Sequence, residues 1–185
     1  MVLNKSNTKL SQPRRTVWQR WSRLLRHLWS EPSHLPRQLG VGTTQRVQLA
    51  VQASELRHSG EIRVCIEAGL PMSYAWRDAS PRERAVALFG KLRVWDTEAN
   101  SGVLIYLLMA DRAIEIVADR GLHKQVSDEQ WQAIVAHMHD DFQAGRFEAG
   151  LLAAVTAVDE LLVRYFPRLA DAHDVNELPD DPVLR

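Results

Sequence analysis

The stretch VLIYLLMADRAIEIVA (Val103–Ala118) decides the fold class of this chain. Its first half, Val103 to Met109, is apolar at every position, as expected of a central strand covered by helices on both faces. Asp111-Arg112 leaves room for only a tight connection before Ala113–Ala118 (AIEIVA), so the two runs predict a hairpin. Upstream, Glu61 to Ala68 (EIRVCIEA) alternates strictly, with Ile62, Val64 and Ile66 on one side and Arg63, Cys65 and Glu67 on the other, a strand signature.

Helical segments surround these strands. Thr43 to His58 precedes the first, with Val47, Ala50, Val51 and Leu56 as inward residues. Between the first two strands, Ser80-Pro81-Arg82-Glu83 starts a helix that runs to about Trp95. Ser80 can cap the free amides, Pro81 suits the first turn, and Glu83 can reach back to complete a capping box. Ser127-Asp128-Glu129-Gln130 is a second capping signal, opening a helix to about Phe142 that Gly145 breaks. Phe147 to Phe166 is a final helix with a stripe of Leu151, Val155, Val158, Leu162 and Tyr165, stopped by Pro167. Strands and helices interleave, so the expected class is α/β, a small mixed sheet sandwiched between helices.

At 185 residues, 45% hydrophobic and 25% charged, the chain suits one globular domain with tails. The single cysteine, Cys65, cannot form an internal disulfide. Zero net charge conceals an asymmetry. Residues 1–40 carry Lys5, Lys9, Arg14, Arg15, Arg20, Arg23, Arg26 and Arg37 against Glu31, whereas the tail from Arg168 is acidic and expected to be unstructured. The expected division is a basic arm over 1–40, a folded domain over 41–167 and a tail over 168–185. No run reaches the length of a membrane span and no signal-peptide pattern is read, so a cytoplasmic location, peripheral at a membrane where the arm docks, is expected.

Within the arm, Arg14 to Ser30 (RRTVWQRWSRLLRHLWS) reads as an amphipathic helix with Val17, Trp21, Leu24, Leu25 and Leu28 at three- and four-residue steps. Trp18, Trp21, Leu25, Leu28 and Trp29, rimmed by arginines, suit an anionic membrane surface or the groove of a protein partner. The opposing reading is that this helix packs on its own domain and hides the tryptophans. Nucleic acid is a poorer fit, because the rest of the chain has no basic balance.

Asn100-Ser101-Gly102-Val103-Leu104-Ile105, then Asp111-Arg112, Ile114-Glu115-Ile116 and Gly121-Leu122, resemble the core of TPM domains. Phe142-Gln143-Ala144-Gly145-Arg146-Phe147-Glu148-Ala149-Gly150 is similar to that family's junction between its last two helices. The resemblance spans about Thr43 to Phe166 and implies an αβα sandwich around a short mixed sheet. The family includes a thylakoid acid phosphatase, photosystem II repair proteins and an animal receptor modulator. Many members carry a signal peptide or membrane anchor, neither of which is read in this sequence.

Carboxylates and amides on converging loops can hold a hard cation. Asp96, Glu98 and Asn100, with Asp111 and with Asp78 if its loop ends on the same side, form the candidate set for Ca2+ or Mg2+, which would polarise a phosphate for hydrolysis. Asp96, Asp111 and Arg112 are the candidate catalytic residues, and Arg112 and Arg120 suit a phosphoryl group. Asp and Asn are also ordinary turn formers, and that reading is favoured. Cys65 lacks a phosphatase-type loop, and His137 and His139 lie on different sides of a helix. The function expected is a non-catalytic interaction or assembly module; the alternative is a divalent-metal-assisted acid phosphatase hydrolysing phosphomonoesters.

Overall fold

A computed structural model describes residues 16–168 and 177–185. Its helices are α1 (Val17–Leu28), α2 (Leu35–Leu39), α3 (Thr43–Glu55), α4 (Met72–Trp76), α5 (Pro81–Lys91), α6 (Arg120–His123), α7 (Asp128–Gln143) and α8 (Phe147–Tyr165). Its strands are β1 (Ile62–Glu67), β2 (Val103–Leu108), β3 (Ala113–Ala118) and β4 (Val183–Leu184), in the sheet order β3-β2-β1-β4. β1 pairs parallel to both β2 and β4, and β2 pairs antiparallel to β3, so the sheet is mixed as expected.

Every residue of β2 is buried, because helices cover both faces of the sheet. One face packs Ile62, Val64, Val103, Ile105, Ile114 and Ile116 against α2, α3, α7 and α8. The other packs Cys65, Leu104, Tyr106, Leu108 and Val117 against α1, α4 and α5. The architecture is an αβα sandwich.

The capping signals act as sequence chemistry demands, with one exception. Ser127 and Gln130 form a reciprocal capping box, and Thr16 and Gln19 form another at α1. Ser80 accepts from the Glu83 N–H at 3.1 Å, but the Glu83 carboxylate turns away to Arg77, so that box is only half made. Two motif residues have packing reasons. A Cβ on Gly102 would collide with the Val94 carbonyl, and one on Gly150 would meet the Phe142 ring at 3.0 Å.

One expectation is corrected. The end of the acidic tail is part of the sheet: Val183 and Leu184 pair with Cys65 and Ile66. Glu61, buried beside them, accepts the N–H groups of Glu177 and Leu178 at 3.0 and 3.3 Å. Residues 169–176, also expected to be unstructured, lie outside the described residues. In α1, Leu24 is buried alongside Arg23 and His27, while Val17, Trp21, Leu25 and Leu28 remain exposed, which is against the opposing reading in which the helix hides its tryptophans on its own domain.

Candidate functional site

The acidic set read from the sequence is split by the sheet. β2 rises about 20 Å over its six residues, with the 96–102 loop before it and Asp111 beyond its far end. At the near end, Asp96 pairs with Arg93, and the Glu98 N–H donates to the Glu177 carboxylate at 3.2 Å. Asn100 Oδ1 accepts from Arg120 Nε at 3.1 Å. These contacts lock turns and hold the tail. Asn100 has a φ of 52°, a left-handed conformation that Asn tolerates better than most residues.

At the far end, Asp111 and Asp78 do come together, around an arginine. Arg23 of α1 donates from Nη2 to Asp111 Oδ2 at 2.6 Å, from Nε to the same oxygen at 3.0 Å, and from Nη1 to Asp78 Oδ1 at 2.7 Å. Its Nη2 also reaches the Ala79 carbonyl at 2.9 Å. One turn on, His27 Nδ1 accepts from the Leu70 N–H at 3.1 Å, which turns Nε2 to within 3.3 Å of Asp111 Oδ1 without hydrogen-bond alignment. Burial pushes the Asp111 carboxyl up, but His27 and Arg23 together outweigh it and hold it well below the usual carboxylate range. Arg23, although penalised by burial, is held above its ordinary value by Asp111 and Asp78.

This arrangement fixes what the cluster can do. A guanidinium already occupies the space between the two carboxylates, so Ca2+ or Mg2+ there would have to displace Arg23. With α1 docked the residues do not fit a cation. Among the described residues, no three His, Cys, Asp or Glu side chains are grouped to hold a metal ion. Arg112 donates to the Gln143 carbonyl at 2.9 Å and ties the hairpin turn to the end of α7. The Cys65 thiol is fully buried and pushed up to about 12, chiefly by that burial, which makes it inert.

With Arg23, Leu24 and His27 on the docked side, α1 leaves its tryptophans outward. Trp18 is 85% exposed, Trp29 79% and Trp21 53%. At about 100° per residue, these three and Val17, Leu25 and Leu28 fall within about 120° of arc. Trp76 of α4 extends the patch, edge-on to Trp21 at 6.4 Å.

Residues 38–161, more than half of the chain, match the TPM domain. The chain belongs to the TPM-domain family. Its fold is similar to that of the BA42 protein from the psychrophilic bacterium Bizionia argentinensis, at 29% identity and a TM-score of 0.68 over 78% of this chain and 94% of that one. The N-terminal domain of a P. gingivalis protein shares the fold at 20% identity and a TM-score of 0.54, covering 71% of this chain and 83% of that one. None of the curated proteins matches the sequence. In this TPM domain, α1 lies outside the matched residues, yet its Arg23 is bonded to Asp111 within them. Sequence reasoning missed Arg23 and His27 as docking residues. The signal was their i, i+4 spacing, which places two groups able to meet carboxylates on one face.

Proposed function

We propose that this TPM domain is a non-catalytic interaction module that docks on an anionic membrane surface through the outward face of α1. The observation that carries this reading is the exposed band of Trp18, Trp21, Trp29, Leu25 and Leu28 on a helix that Arg23 and His27 hold to the domain. Indole rings favour the boundary between acyl chains and headgroups. Arg20, with half of its side chain exposed, and the basic residues preceding the helix supply the charge that favours anionic lipid. Among the described residues no helix is long and apolar enough to cross a membrane, so this docking would be peripheral.

The test is co-sedimentation of the full chain with phosphatidylglycerol and phosphatidylcholine vesicles. Binding to the first, lost in a Trp18→Ala/Trp29→Ala double variant, is expected. Indifference to lipid, with the same patch protected by a protein partner instead, would replace the membrane with a protein groove.

A second reading is divalent-metal-assisted phosphomonoester hydrolysis, supported by the meeting of Asp78 and Asp111. It requires α1 to leave. An Arg23→Ala chain should then bind Ca2+ or Mg2+ and hydrolyse a phosphomonoester, and Asp111→Asn should abolish both. A flat cation titration of Arg23→Ala removes this reading.

A further inference from the structure

β3 lies at one edge of the sheet, with β2 on one side of it and no strand on the other. α5 packs on one face of the sheet beside it and α7 on the other, and between them a cleft of about 900 Å³ runs along Glu115 to Asp119. The strand is recessed in that cleft: Ile114, Ile116 and Val117 are all at most 7% exposed. Its outward groups follow from the ladder. The Asp119 N–H donates to Gly102 beside β2, so the odd-numbered residues face β2 and Ile114, Ile116 and Ala118 turn their N–H and C=O outward. Arg82 already donates to the outward Ile116 carbonyl, so an added strand would take over that acceptor by displacing Arg82.

The walls have the character of a binding groove. Val86 and Phe89 line the α5 side, Trp131 and Val135 the α7 side. Among the described residues, three buried side-chain polar atoms have no hydrogen-bond partner, and two belong to residues lining this cleft. They are Asp119 Oδ2, in a residue only 8% exposed, and Trp131 Nε1. Left unpaired, each carries a desolvation penalty that a ligand offering both a donor and an acceptor would relieve.

We propose that this cleft binds an extended peptide segment of a partner protein, which adds as a strand to β3. The segment would be apolar over about four residues, with side chains alternating between the α5 and α7 walls, and would place a lysine or arginine near Asp119. Main-chain groups supply the alternating donors and acceptors that the outward side of β3 requires. A second copy of this chain is a poor occupant, because two recessed edges cannot reach one another.

The probe is an array of synthetic peptides with four apolar positions, flanked at either end by Lys or Glu, exposed to the full chain. Retained peptides are then titrated into ¹⁵N-labelled protein. Retention of Lys-flanked sequences is expected, with amide shifts and slowed hydrogen exchange at Ile114, Ile116 and Ala118. Ala118→Pro removes one outward N–H without touching the β2 ladder and should weaken binding roughly two- to tenfold. Asp119→Asn should erase the preference for Lys over Glu. Exchange at the three amides in the unmodified protein decides the matter even if the proline variant does not fold. Absence of any retained peptide at millimolar concentration, shifts confined to α1, or self-association that Ala118→Pro abolishes would each overturn the proposal.

Discussion

Glu67, at the end of β1, accepts from Arg84 Nε and Nη2 at 2.9 and 2.5 Å and from the Tyr106 hydroxyl at 2.7 Å, and all three residues are buried. Burial and the neighbouring Glu67 carboxylate raise the Tyr106 phenol far above its ordinary value, so it stays a donor. Removing one member of a buried ion pair leaves the other charge without compensation. Arg84→Ala should therefore cost about 3–5 kcal/mol in urea unfolding, and Tyr106→Phe about 1–3 kcal/mol. A small effect of Arg84→Ala would mean that the pair is hydrated. Gly102→Ala should cost about 1–3 kcal/mol, since the new methyl meets a backbone carbonyl that cannot swing aside. The triad was not legible as such. Strict alternation placed Glu67 on the side opposite Ile66, but nothing local revealed that this side was also core, or that Arg84 and Tyr106 met there.

Titratable groups contribute to the docking of α1 and of β4, and the two respond to pH in opposite senses. The Asp111 carboxyl is depressed, so the folded state binds its proton less readily than the unfolded chain does. Its stabilising contribution is complete above about pH 4, the ordinary Asp range, and is lost as pH falls below it. Amide shifts of α1 and of the Trp21 indole should move together below about pH 4, with the domain still folded, and Asp111→Asn should reproduce this at neutral pH. Shifts that stay fixed until the domain itself unfolds would show that Leu24 packing holds the helix alone. Glu55 is the reverse case. Burial foremost, with Glu61 and Asp180 adding to it and the Ile62 N–H opposing, pushes its carboxyl up to about 8. A raised carboxyl stabilises the fold fully below its ordinary range near pH 4.5 and loses that contribution as pH rises through its folded value. Since Asp180 belongs to the tail, the amides of Val183 and Leu184 should shift with a midpoint near that value, and Glu55→Gln should remove the transition.

Across the whole molecule, the tryptophan face of α1 and the open β3 edge are separate surfaces built by different elements. Vesicle binding through α1 should weaken as ionic strength rises, because the arginine contribution is screened over about 8 Å at physiological salt while the indole contribution is not. Trp95 is half exposed but lies just before the 96–102 loop, at the opposite end of β2 from Asp111. Trp95→Ala should therefore leave vesicle binding unchanged. Equal losses from Trp95→Ala and Trp18→Ala would point to general stickiness in place of a docking face.

Strand and helix positions were legible because their causes are local: the apolar run of β2, the alternation of β1, the serine caps of α5 and α7, and the glycine-broken junction before α8. The mixed sheet between helices followed from their order. The split of the acidic set was not legible, because Asp96 and Asp111 are neighbours in sequence and only the direction of β2 carries them apart. Nor was the attitude of α1. Periodicity shows that an apolar stripe exists, not what covers it, and the choice fell to Asp111, 88 residues from Arg23. The tail joined the sheet for the same kind of reason: Glu61 meets the backbone of Glu177 and Leu178, 116 and 117 residues away. Composition and spacing determine elements through near neighbours. Only the closed fold brings distant charges together, and in α1 the ion pair of Arg23 with Asp111 decided which face was left exposed.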